Sequence, residues 1–192
     1  MVSVMQVYQY KNYDEYVEIQ TRTNEEKLDW IYAKKDVIEQ ICNHKKIANN
    51  IICHGTRNGA EQNYFKEFFP DAYIIGTEIS STASEFPMTI QHDFTMQKSE
   101  WIEKFDVIYS NSFDHTIDPE KTIATWAEQL SNTGTLYLEY ADSQSIGNDA
   151  DPLNATNEEI IELIERHMKI VGTITKGVKH GGTVFICERN VK

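Results

Sequence analysis

Apolar residues fall along the chain in two alternating patterns. Short runs such as Asn50-Ile51-Ile52-Cys53-His54 and Phe105-Asp106-Val107-Ile108-Tyr109-Ser110 have the compact form of buried strands, and the stretches between them carry apolar positions at helical spacing. After the first strand, Ala60, Tyr64, Phe65, Phe68 and Phe69 mark a helix face that stops at Pro70-Asp71. A second strand is predicted over residues 72–77, a third over 87–91, ended by His92-Asp93-Phe94, and a fourth from Phe105. Asp118-Pro119 then supplies a helix cap and a first-turn proline. Ile123, Trp126, Ala127 and Leu130 follow at i, i+3, i+4 and i+7, and Asn132-Thr133-Gly134 turns that helix into a fifth strand over 135–140.

Two capping-box sequences open further helices. Thr23-Asn24-Glu25-Glu26 stands before Leu28, Trp30, Ile31, Val37, Ile38, Ile41 and Cys42, which predicts a helix from about residue 24 to 43. Thr156-Asn157-Glu158-Glu159 stands before Ile160, Leu163, Ile164 and His167/Met168. Residues 170–178 and 183–188, joined by Lys179-His180-Gly181-Gly182, read as a β-hairpin. Two segments lie outside this alternation. Residues 1–22, with Tyr8, Tyr10, Tyr13 and Tyr16 among Asp14, Glu15 and Glu18, show weak periodicity and read as an extension, so the division is an extension over 1–23 and one α/β domain over 24–192. Residues 141–155 are polar and turn-forming, the composition of a long functional or movable loop after the fifth strand.

Composition narrows the function more than the fold. A chain of 192 residues with 40% apolar residues can bury one substantial core. A formal net charge of −12 disfavours an extended phosphate-backbone contact, so a small-molecule or protein substrate is expected rather than nucleic acid. Cys42, Cys53 and Cys187 are odd in number and lack partners at zinc spacing, which supports neither a disulfide framework nor a metal site. No apolar run approaches a membrane span and no leader pattern is present, so a cytoplasmic protein without a membrane partner is expected; monomer and homodimer both stay open.

The chemistry concentrates after the first strand. Gly55 and Gly59 allow a sharp turn that brings a helix N-terminus close to a ligand, and Glu78, ending the next parallel strand, can accept from vicinal ribose hydroxyls. Aligned on these glycines, Cys53-His54-Gly55-Thr56-Arg57-Asn58-Gly59 followed by Glu78 resembles the glycine-rich first motif of class I S-adenosylmethionine-dependent methyltransferases. Cys53 replaces a common acid there and Arg57 the common middle glycine; the stretch from Phe105 to Leu138 and the terminal hairpin extend the resemblance over about residues 47–190. The resemblance implies a single-domain, three-layer α/β/α Rossmann-like methyltransferase fold. Its seven-stranded, mostly parallel sheet would have the order 3-2-1-4-5-7-6, with the last strand antiparallel.

The same resemblance implies S-adenosylmethionine as cofactor and S-adenosylhomocysteine as product. It places that cofactor against Cys53, His54, Gly55, Thr56, Arg57, Gly59, Glu78, Ile79, Asp93, Phe94, Ser110 and Asn111. Asp93 would meet the adenine amino edge, or else cap its loop. Arg57 could pair the methionyl carboxylate, or Glu61 at i+4. The loop after the fourth strand would face the transferred methyl group, making Asn111, Asp114 and His115 the candidate catalytic residues, His115 as general base or as a residue that positions the loop and caps the next helix. The implied activity is methyl transfer to a small molecule or a protein side chain. A cofactor-binding regulator without turnover and an NAD-linked oxidoreductase are the alternatives, the latter lacking the three-glycine fingerprint.

Overall fold

The computed structural model of the protein describes residues 5–142 and 147–190. Its frame is a seven-stranded sheet of β1 (Asn50–His54), β2 (Tyr73–Glu78), β3 (Thr89–Gln91), β4 (Phe105–Ser110), β5 (Leu130–Tyr140), β6 (Met168–Ile174) and β7 (Thr183–Arg189). In this labelling the strand order is 3-2-1-4-5-7-6, as expected. The first five strands pair in parallel, with Ile51 opposite both Ile74 and Val107, and β7 runs antiparallel between β5 and β6. A separate two-residue ladder pairs Gln6–Val7 with Leu153–Asn154.

Alternation along the strands divides the core into two layers. Ile51, Cys53, Ile74, Val107 and Tyr109 face α2 (Lys35–Lys45) and α3 (Ala60–Phe68). Ile52, Ile75, Ile108, Leu136 and Leu138 face the other way, against α4 (Pro119–Gln129) and α5 (Asn157–Glu165). Trp126 of α4 is wholly buried in that second layer, and its truncation to alanine would cost about 3–5 kcal/mol. Two of the three predicted caps form: Asp118 Oδ1 accepts the Lys121 N–H at 3.0 Å, and Thr156 and Glu159 exchange the two bonds of a capping box. Among the described residues, no helix is long and apolar enough to cross a membrane.

Three expectations need correction. The helix predicted over 24–43 is two helices, α1 (Tyr13–Glu26) and α2, separated by residues 27–34. Asn58 Nδ2 donates to the carbonyls of Leu28 and Trp30 and holds that connection open, leaving Trp30 and Ile31 about half exposed. Thr23 and Asn24 therefore end a helix instead of capping one, and α1 begins at Asn12, whose side chain accepts the Glu15 N–H at 2.9 Å. The fifth strand starts at Leu130, directly from α4. Asn132-Thr133-Gly134 forms an irregularity inside it, where a Cβ on Gly134 would lie 2.5 Å from the Phe105 carbonyl oxygen. Of the loop expected over 141–155, residues 143–146 lie outside the described residues, and its end carries the short strand Leu153–Asn154.

Candidate active site

The Gly55–Gly59 turn is fixed from below by β2. The backbone N–H groups of Gly55 and Thr56 donate to the Thr77 carbonyl at 2.9 and 3.0 Å, so both are committed to holding the turn. Gly55 adopts φ +73°, and a Cβ there would lie 2.6 Å from Ser112 Cβ, so the two loops meet at a distance only glycine permits. Arg57 keeps a left-handed φ of 42° at the position where the resembled motif has a glycine. Gly59, at φ +74°, closes the turn and starts α3.

Glu78 ends β2 beside this turn. Its Oε2 accepts the Arg57 N–H at 3.1 Å and its Oε1 accepts the Ser80 N–H at 2.9 Å. Burial holds its carboxyl above the usual range, offset in part by those two N–H groups. A carboxylate has about four lone-pair positions, so two remain for a ligand.

Two adjoining cavities open from this point. The first is lined by Gly55, Arg57, Glu78, Ile79, Asp93, Phe94, Ser112 and His115, and is covered by Tyr16, Gln20, Thr23 and Asn24 of α1. The second is polar and runs past Thr56, Arg57, Glu61, Asn111, Asp114, His115 and Asp151. Arg57 Nε, Glu61 Oε2 and Asn111 Nδ2 are buried around it without hydrogen-bond partners among the described residues. Arg57 and Glu61 form no ion pair among the described residues; the guanidinium lies over the Tyr32 ring, 5.1 Å from its centroid. Burial pushes the Glu61 carboxyl up to about 7. Glu61 also bears on the Cys53 thiol, which burial raises well above its ordinary value, so α3 brings a carboxylate near the position where the resembled motif has one.

The structure thus gathers Gly55, Thr56, Arg57, Glu78, Ile79, Asp93, Phe94, Asn111, Asp114 and His115 around the cavities. Four predicted residues do not line either one. Cys53 points into the core under α2 and α3, and Gly59 shapes the turn. Ser110 donates to the His54 carbonyl at 3.0 Å. His54 is a core residue, stacked on Trp126 with centroids 4.9 Å apart and bonded to Thr77 Oγ1 and Gln129 Oε1.

Asp93 caps its own loop, Oδ1 accepting the Thr95 N–H, while Oδ2 accepts the Tyr13 hydroxyl of α1 at the wall of the first cavity. His115 does not cap α4, a place taken by Asp118. Its Nδ1 lies 3.0 Å from Gln20 Oε1 and 3.0 Å from the Ala150 carbonyl oxygen. Burial raises the Asp114 carboxyl. Sequence reasoning passed over Gln20, Thr23, Asn24 and Asp151. The first three sit at i, i+3 and i+4 on α1, a polar stripe that the pairing of Asn12 with Glu15 could have exposed. Asp151 carries no such signal.

No protein-family model and no curated protein matches the sequence. Solved structures do share its fold. The 1,6-didemethyltoxoflavin-N1-methyltransferase of Burkholderia thailandensis, with S-adenosylhomocysteine bound, superposes with a TM-score of 0.73 over 95% of this chain and 92% of that one, at 14% identity. The N-methyltransferase NodS of Bradyrhizobium japonicum WM9, also with S-adenosylhomocysteine, gives 0.67 over 90% and 99%, at 12% identity. The [4+2]-cyclase SpnF gives 0.69 over 98% and 100%, at 9% identity. The Rossmann-like methyltransferase fold is common to all three and to this chain.

Proposed function

We propose that the protein is an S-adenosylmethionine-dependent methyltransferase acting on a small molecule or a protein side chain. The observation that carries this reading is Glu78, a buried carboxylate fixed by two backbone N–H groups beside a turn that only glycine can make, with lone pairs left over at a cavity edge. That is the arrangement a vicinal diol requires. The two structural relatives crystallised with S-adenosylhomocysteine support the same cofactor.

The residues present fit that cofactor. Glu78 would bind the ribose, with Ile79 and Phe94 along the adenine and Asp93 at its amino edge. The amino and carboxylate groups of the methionyl part would meet Glu61 and Arg57, whose Oε2 and Nε otherwise stay buried without partners among the described residues. When bound, S-adenosylmethionine supplies a methyl group activated by a sulfonium. The chain's own part is to hold an acceptor in line with it, which is the main requirement of such a displacement. In this reading the extension over residues 1–23 is the cover of the domain over 24–192, since α1 supplies Tyr16, Gln20 and Thr23 to the first cavity.

Calorimetric titration of Glu78→Ala with S-adenosylhomocysteine tests the reading. Loss of a carboxylate that accepts from two hydroxyls should cost about 2 kcal/mol, or roughly thirtyfold in affinity. Unchanged affinity, or a parent protein that binds NAD and not S-adenosylhomocysteine, would overturn it.

A further inference from the structure

Asp114, His115 and Asp151 converge at the second cavity, and the function proposed above assigns no task to Asp151. Both neighbours of His115 Nδ1, Gln20 Oε1 and the Ala150 carbonyl, are acceptors, so Nδ1 carries a hydrogen. In the neutral ring Nε2 then presents its lone pair to the two acids. Nε2 stands 3.9 Å from Asp114 Oδ1 and 3.8 Å from Asp151 Oδ1, beyond direct hydrogen-bond range. Among the described residues the Asp151 carboxylate has no other partner, and Arg57, on the same cavity wall, pairs with neither acid.

Three lone-pair groups facing one another favour a positive charge between them, and the methyltransferase reading narrows what carries it. The three ligand atoms lie within 4.8 Å of one another. An ammonium nitrogen about 2.8 Å from each acceptor spaces those acceptors about 4.6 Å apart. A zinc or magnesium ion, about 2.1 Å from each ligand, draws them to about 3.0–3.4 Å. The observed separations of 3.8 and 3.9 Å fall between the two spacings, and of the two guests only an amine is a nucleophile that can accept a methyl group. Two carboxylates at one wall also favour a charged guest over a neutral hydroxyl.

We propose that Asp114, His115 and Asp151 form the binding site of the methyl acceptor, and that this acceptor is a primary alkylamine bound as its ammonium ion. The proposal rests on the methyltransferase reading and names the substrate class of the same site. Asp114 and Asp151 accept two N–H bonds of the ammonium, and Nε2 removes a proton. The resulting imidazolium stays between the carboxylates while Nδ1 keeps its bonds to Gln20 and Ala150. The freed nitrogen pair forms the N–C bond as the S–C bond of the sulfonium breaks, its electron pair remaining on sulfur. The products are an N-methylammonium ion and a neutral thioether; one proton has moved to His115 and the positive charge from sulfur to nitrogen.

The test titrates the S-adenosylhomocysteine-saturated protein with methylammonium chloride, against sodium chloride at equal ionic strength, while NMR follows the His115 ring. Methylammonium alone should give a saturable shift, at least about tenfold weaker in Asp151→Asn, with affinity for S-adenosylhomocysteine kept. Asp114→Asn serves as a second variant should the first not fold. An equal response to sodium, no response at all, or a response to magnesium or zinc at lower concentration than to methylammonium would each overturn the proposal. Titration of S-adenosylhomocysteine into the same proteins before saturation reports separately on the methyltransferase reading, so the two can fail independently.

Discussion

The Tyr13 hydroxyl donates to Asp93 Oδ2 at 2.8 Å, joining the first turn of α1 to the loop after β3 across 80 residues. Burial, and after it the bond to Asp93, pushes the tyrosine hydroxyl's own ionisation well up. Tyr13→Phe should cost about 1 kcal/mol of stability, the net worth of one such bond. Because it frees Oδ2 for an adenine amino hydrogen, the variant should bind S-adenosylhomocysteine no more weakly than the parent, whereas Asp93→Ala should bind about tenfold more weakly. Calorimetry on both decides the matter. A Tyr13→Phe variant weakened as much as Asp93→Ala would make the tyrosine itself a ligand contact.

Glu61 gives the cofactor affinity a pH dependence. Its carboxyl, raised by burial to about 7, is mostly protonated at pH 6 and mostly ionised at pH 7.5. A ligand ammonium that needs the ionised form should therefore bind about eightfold more tightly at pH 7.5 than at pH 6. In the free protein the sign is opposite for stability. The folded value exceeds the ordinary 4.5, so the contribution is present below 4.5 and lost as pH rises through about 7. Glu61→Gln should flatten the affinity profile; an equally steep profile in that variant would remove Glu61 from the cofactor's amino group.

His54 works in the acid direction. Gln129 Oε1 accepts from Nε2, and Thr77 Oγ1 donates to Nδ1, so the ring is neutral; burial lowers it from an ordinary 6.5 to about 3. The stability it confers is present above 6.5 and lost as pH falls toward 3, at up to about 1.4 kcal/mol per pH unit. Urea unfolding at pH 7, 6 and 5 should show a shallower acid slope for His54→Gln than for the parent. Equal slopes would mean that the ring already takes up its proton in the folded state.

The strands and both later caps were legible because they depend on local pattern, as in Ile51-Ile52, Asp118-Pro119 and Thr156 with Glu159, whereas the strand order followed from the resemblance of their succession to the methyltransferase fold. The cover of the site was hidden for a physical reason. The buried face of α1 is Tyr16, Ile19, Gln20, Thr23 and Asn24, and three of these five are polar because they line a cavity. A search for apolar stripes passes over such a helix. It lengthened α2 backward to a false start at Thr23. His54 misled in the reverse way, since its place beside Gly55 suggested a ligand contact, while strand alternation turns it toward Trp126. Asp151 joins His115 only through the fold of its loop.

The place of β7 between β5 and β6 bears on how the protein is made. During synthesis β5 would emerge with one edge bare, and β6 would have no neighbour in the sheet to pair with until residues 183–189 followed. That interval exposes a long, largely apolar strand edge of the kind that invites association between nascent chains. A truncation before Thr183 would make the interval permanent, leaving a sheet with its interior strand missing rather than merely shorter at its rim.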